Sequence, residues 1–174
     1  ANNIKAKQVT IENVGFPVRE PMLAAGEVDA ITGFSFSSFL NLKSKGVKEE
    51  DINLMLMSDY GLKLYGNTVI VNPDFAAENP QLVKGFVKAI IRGWMDTIAD
   101  PNSAIDHLME RNKIARRNVE LERLEMAIRD NVITAEVKER GFGDVEEKRL
   151  SESINQVGLT YDFSNKPTAA SVFT

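Results

Sequence analysis

The run from Asn79 to Ile98 constrains this chain more than any other segment. Asn79-Pro80 supplies an N-cap followed by proline at the first helical position. Leu82, Val83, Phe86, Val87, Ile90, Ile91, Trp94, Met95 and Ile98 then form one continuous apolar stripe at helical spacing, which predicts a helix whose stripe, Trp94 included, is core. Asp100-Pro101 repeats the device and starts another helix through about Arg111. Leu121, Leu124, Ala127 and Ile128 mark a third, and residues 145–157 a fourth with Leu150 and Ile154 inward. The tail after Phe163 has no periodicity and is expected to be loose or to lie against a surface.

The first third has a different grammar. Residues 8–14 alternate apolar and polar side chains with β-branched enrichment, which predicts a strand ended by Gly15. A short helix from Val18 follows, with Pro17 near its first turn and Gly26 as its stop. Residues 28–32 predict a second strand, residues 37–45 a helix stopped by Gly46, and the apolar residues 52–57 a strand covered on both faces. Asp59-Tyr60-Gly61 and Tyr65-Gly66-Asn67 are turn signals placed just before the β-branched residues 68–71, a pattern that suits a segment crossing between lobes. The strand-helix-strand rhythm predicts an α/β fold with a parallel sheet.

Composition narrows the function. With 174 residues and 43% hydrophobic content, the chain can bury one solid core, as one domain or two small lobes. A net charge of -4, read as spread without blocks of one sign, argues against nucleic acid and acidic membranes as partners. No apolar run approaches the roughly 20 residues of a membrane helix. The absence of cysteine removes disulfides, thiolate metal sites and thiol nucleophiles together. No His-x-x-x-His pair, Gly-x-Ser-x-Gly or P-loop occurs, and no two carboxylates stand out as a couple, so binding is favoured over catalysis. No cofactor or metal is implied.

Two groups of residues are candidate ligand contacts. Gly33, Phe34 and Ser35 follow the second predicted strand, where Gly33 would admit close backbone approach and Ser35, Ser37 and Ser38 offer hydroxyls beside helix N-terminal amides. Phe34 or Phe36 would form an apolar wall; equally, the serines cap a helix and the rings fill core. Tyr60, Tyr65, Gly66 and Asn67 bracket the crossing segment, where Gly61 and Gly66 would act as hinges; equally, this is an ordinary turn with two half-buried tyrosines. Arg19-Glu20, at a helix start, reads as a surface pair ahead of an arginine reaching an anionic ligand, His107 as a satisfied or solvated helix residue, and Arg116-Arg117 with Glu120, Glu122, Arg123 and Glu125 as a mixed-charge helix face.

Three motifs, Pro21-Met22-Leu23-Ala24-Ala25-Gly26-Glu27-Val28-Asp29-Ala30, residues 60–72 (Tyr-Gly-Leu-Lys-Leu-Tyr-Gly-Asn-Thr-Val-Ile-Val-Asn), and residues 79–89 from Asn79-Pro80, resemble in order and spacing the nitrate/sulfonate/taurine and thiamine-pyrimidine group of periplasmic solute-binding proteins of ABC importers. The resemblance runs from about Val9 to about Asp162 and implies part of a two-lobed, type II periplasmic binding fold. It implies residues 1–64 as the distal part of a second α/β lobe, 65–72 as a hinge-crossing strand, and 73–174 as helices that pack back on a first lobe absent from this chain. Ligand contact would match Gly33, Phe34, Ser35, Tyr60, Tyr65, Gly66 and Asn67. The partners implied are a small anion (sulfonate, nitrate or bicarbonate) or a pyrimidine-type solute and a membrane permease, in the periplasm. A C-terminal fragment of this kind would bind its solute poorly and expose helix faces that favour self-association.

The same architecture resembles the effector domain of LysR-type transcriptional regulators, which would make the chain a cytosolic sensor. Fungal pyrimidine synthases of thiamine biosynthesis also resemble these binding proteins, but their cysteine-rich motif and histidine chemistry have no counterpart in a chain without cysteine and with a single, remote His107.

Overall fold

Proline and glycine mark several helix ends of this chain, with Pro21 inside the first helix as an exception. A computed structural model describes residues 4–173, and contacts divide the chain into one unit ending at Leu54 and another beginning at Met55. The first unit holds helices α1 (Phe16–Ala24) and α2 (Ser35–Ser44), with short 3-10 turns at Ala6–Gln8 and Glu49–Asp51. Pro17 sits in the first turn of α1, where its missing N–H costs nothing. Gly26 closes the helix at φ 72°, a left-handed conformation that a side chain would oppose. α1 and α2 pack together, with Leu40 and Leu42 the most buried apolar residues of this unit.

The second unit opens on a 3-10 turn at Met57–Tyr60 and continues with α3 (Pro73–Glu78), α4 (Pro80–Ala99), α5 (Pro101–Arg111), α6 (Arg117–Ala127), α7 (Ala135–Arg140), α8 (Glu147–Val157) and α9 (Ala169–Val172). α6 runs on into a π-turn, Ile128–Val132, in which Ile133 N–H reaches the Ile128 carbonyl at 2.8 Å. Ile105 and Met126, on α5 and α6, form the buried centre of this unit. The tail after Phe163 acquires order: Thr168 and Ser171 form a reciprocal capping box, and Ala169 is buried where α9 meets α8.

The α/β expectation fails. Among the described residues there is no strand, so the predicted strands at 8–14, 28–32, 52–57 and 68–71, and the strand-rich first third they implied, are not formed. A period-two pattern makes a strand only when a neighbour accepts its backbone hydrogen bonds, and none of these segments pairs with another. Several remain open to water, Ile70 at 89% exposure being the extreme. Their carbonyls find local or side-chain partners instead: Arg19 Nη1 donates to the Thr32 carbonyl at 3.0 Å, and the Leu56 and Met57 carbonyls accept from Asp59 and Leu62 N–H in the turn that follows.

Two further expectations are corrected. Asn79 does not cap α4 through its side chain; its Nδ2 instead donates back to the Phe75 carbonyl at 3.2 Å, closing α3. Asp100 does cap α5, accepting from Ser103 N–H at 3.1 Å. The stripe on α4 is not core either: none of its residues is fully buried, and Leu82, Phe86, Trp94 and Met95 are exposed. The helices in substantial contact with this 20-residue element are α3, of 6 residues, and α5, of 11, too short to cover its whole apolar arc.

Candidate binding site

The segment joining α1 to α2 places Gly33 and Phe34 before the helix and Ser35 at its first position. Phe34 is the N-cap, extended at φ -75° and ψ 127°, and its carbonyl accepts from Ser37 and Ser38 N–H at 2.9 Å each. No side chain caps α2, so the capping role considered for the serines is not taken here. The Phe34 ring is 58% exposed and stacks on Phe36, with centroids 5.5 Å apart and planes at 18°. Ser35, Ser37 and Ser38 are half-buried beside it. Arg19, whose guanidinium holds the Thr32 carbonyl, lies 4.3 Å over the Phe16 ring.

Gly33 is required by close approach, not by its backbone angles. A Cβ built there would lie 2.2 Å from Ser38 Oγ, so Gly33→Ala is expected to force that hydroxyl to a new rotamer and to cost roughly 1 kcal/mol. Adding Ser38→Ala should recover most of the loss. Thermal unfolding of the single and double variants checks this, and equal destabilisation in both would show that the clash does not set the cost.

In the second unit, Tyr65 is the anchored member of its group. Its hydroxyl donates to Glu136 Oε1 and accepts from Glu146 N–H at 2.9 Å, while Arg149 pairs with Glu136 Oε2 and sets its guanidinium 4.2 Å over the tyrosine ring. Three side chains on one face of α8, Arg149, Ser153 and Gln156, then grip the backbone of residues 61–64. Gln156 accepts from Lys63 N–H at 2.8 Å and donates to the Gly61 carbonyl at 2.9 Å. Ser153 Oγ donates to Lys63 O at 2.7 Å, and Arg149 donates to Lys63 O and Leu64 O at 3.2 Å each. A helix face thus supplies the donors and acceptor that a neighbouring strand would have offered. Gly61, at φ 93°, turns the chain into this grip.

The electrostatics follow from this packing. Burial alone would push the Glu136 carboxyl up, but hydrogen bonds from Tyr65 and Arg149, the Arg149 charge and the Glu146 amide outweigh it and hold the group below the usual carboxylate range. Burial, then the hydrogen bond to Glu136, raises the Tyr65 hydroxyl above the ordinary tyrosine value.

Tyr60, Gly66 and Asn67 are exposed. Arg19 is held within its own unit as described and Glu20 is buried in α1, so the two do not form the expected surface pair, and His107 is exposed with Nδ1 3.9 Å from Glu110. Among the described residues, no group of three or more histidine and carboxylate side chains is placed to hold a metal ion, and no helix is long and apolar enough to cross a membrane. Sequence reasoning overlooked Glu136, Glu146, Arg149, Ser153 and Gln156. The available signal was the polar row at 149, 153 and 156, adjacent to the apolar pair Leu150 and Ile154 on the same helix.

Comparison with known proteins bears on these residues. The family model described as NMT1/THI5 like matches residues 1–104, more than half of the chain and all seven candidate ligand contacts. The riboflavin-binding protein RibY of Chloroflexus aurantiacus is 30% identical over 106 residues, an alignment that covers 61% of this chain and 29% of that protein. The chain therefore spans less than a third of the length of this curated relative. No solved structure is significantly similar to it. On the family match, and in agreement with the motifs at 21–30, 60–72 and 79–89, the chain belongs to the NMT1/THI5-like family, alongside the solute-binding proteins of the nitrate, sulfonate and thiamine-precursor group.

Proposed function

We propose that this chain serves solute capture for an ABC importer, outside the cytoplasmic membrane, as a binding protein and not as an enzyme. The observation that carries the reading is the family match over residues 1–104, the stretch that holds every candidate contact. Residues 65–72 would serve as the hinge segment of the binding protein and carry the contacts Tyr65, Gly66 and Asn67, with residues 1–64 before it and the helices of 73–174 after it.

The solute class we favour is a planar heterocycle over an inorganic anion. Phe34 in the first unit and Tyr60 in the second are 58% and 59% exposed, and stacking on either aromatic face by itself rewards a flat ligand. In the second unit the Tyr65 hydroxyl is committed to Glu136 and Glu146, so its share in binding would fall to its ring, with Gly66 and Asn67 as polar contacts; in the first unit Gly33 and Ser35 would supply backbone and hydroxyl contacts beside Phe34. Arg19, the cation an anion would seek in the first unit, is already engaged by the Thr32 carbonyl and the Phe16 ring. The relative's name points the same way, since riboflavin is a planar heterocycle.

Equilibrium dialysis against riboflavin, an aminopyrimidine, taurine and nitrate tests the proposal. Retention of a heterocycle, weakened about tenfold by Phe34→Ala or Tyr60→Ala through lost stacking, is the expected result. Preferential retention of taurine or nitrate would reverse the solute class, and chemical conversion of any of the four would overturn the non-enzymatic reading.

A further inference from the structure

We propose that the turn between α5 and α6 is a docking tip for an anionic lipid surface. Residues 111–117 read Arg-Asn-Lys-Ile-Ala-Arg-Arg, four cations in seven positions with no carboxylate. The chain-wide charge balance conceals this block: setting its four cations apart from the net -4 leaves -8 on the remaining residues. An anionic surface therefore attracts this turn and repels the rest, which selects one orientation of approach.

The geometry supplies the apolar half of the device. Asn112 folds the turn, its Oδ1 accepting from Ile114 N–H at 3.3 Å and its carbonyl from Ala115 N–H at 3.4 Å. Ile114 is thereby held out at 93% exposure, with Lys113 beside it and Arg111 and Arg116 at the adjoining helix ends, all exposed. A lone projecting isoleucine fits no groove of its own fold, but it needs only a few ångströms of depth in an acyl boundary while long cationic side chains stay at the phosphates.

The neighbouring acids do not neutralise the tip. Asp106 is taken by Arg117, which also holds the Asn102 side chain and carbonyl. Glu120 is paired with Arg123 at 3.0 Å, which leaves Glu110, 3.9 Å from His107, as one carboxylate against the three cations Arg111, Lys113 and Arg116. Arg111, Lys113 and Arg116 have no ion-pair partner among the described residues. Those three charges would each strengthen association with an anionic leaflet about fivefold, a reversible attachment that concentrates the protein at a membrane without anchoring it. The inference is independent of which solute the chain carries, or of whether it carries one.

Co-sedimentation of the chain with vesicles tests it, using equimolar phosphatidylglycerol and phosphatidylcholine in one arm and phosphatidylcholine alone in the other. Expected are partition to the anionic vesicles only, release by added salt, and a loss of about fivefold each for Lys113→Gln and Arg116→Gln. Ile114→Ser should lose a similar factor, whereas Lys138→Gln, an exposed cation on α7, should leave partition unchanged. Circular dichroism confirms that each variant is folded. Equal binding to both vesicle types, no binding by the unaltered chain, or an equal effect of Lys138→Gln and Arg116→Gln would overturn the proposal.

Discussion

Replacing Arg149 with alanine is expected to lower the unfolding free energy of the unit from Met55 onward by roughly 3 kcal/mol. One guanidinium partners Glu136, holds the carbonyls of Lys63 and Leu64 and covers the Tyr65 ring. Its loss leaves a half-buried carboxylate without its cation and the Leu64 carbonyl without its donor, while Lys63 O keeps only the Ser153 hydroxyl. The Arg149 and Glu136 side chains keep 29% and 20% of their surface exposed, so solvent screens the pair and places the cost near the lower end of the range for breaking a buried one. Urea unfolding followed by Trp94 fluorescence reads the correct unit, since Trp94 is the chain's only tryptophan. An unchanged midpoint would show that α8 does not hold residues 61–65.

The same network sets a pH dependence. Glu136 titrates lower in the folded protein than unfolded, so its contribution is fully present above the unfolded carboxylate value and is lost as pH falls through the folded one. Tyr65 is shifted up, so its contribution is present below the unfolded tyrosine value and is lost as pH rises through the folded one. Stability from this cluster is therefore greatest between the two ranges. Arg149→Ala should flatten the acid limb of the unfolding midpoint against pH, and an unaltered limb would assign that limb to other carboxylates.

Ile105→Ala is the second large effect, with an expected loss of about 2–4 kcal/mol. Ile105 is 3% exposed and lines a cleft of about 430 Å³ together with Ile90, Trp94, Leu108 and Leu124 from α4, α5 and α6. Removing its outer carbons enlarges a space that the backbone of three packed helices does not readily close. Trp94 lines the same cleft, so its emission should shift red as water gains access. A loss below about 0.5 kcal/mol, the scale of an ordinary surface substitution, would mean that Ile105 is not central to this packing.

Helix starts and stops were legible wherever proline, glycine or a short polar cap decides locally. Asp100-Pro101 opens α5, and Gly26 ends α1 in the left-handed region. The family, too, was legible from three motifs in order. The strands were not, because alternation at residues 8–14 and β-branching at 68–71 describe a willingness to pair and say nothing of whether a partner is present. The candidate contacts were named as residues without their surroundings: the commitment of the Tyr65 hydroxyl to Glu136, 71 positions away, has no local signature.

The amino-acid order alone therefore determined where α1 ends, where α5 begins and which family the chain joins, because clashes at proline and the freedom of glycine act within a few residues. Tertiary structure decided which part of the α4 stripe is covered and which groups satisfy the backbone of residues 61–64. Those outcomes depend on α5 lying along α4, and on Gln156 meeting Lys63 across 93 positions. Such contacts form only after the entropy of closing a long loop has been met by packing elsewhere in the unit.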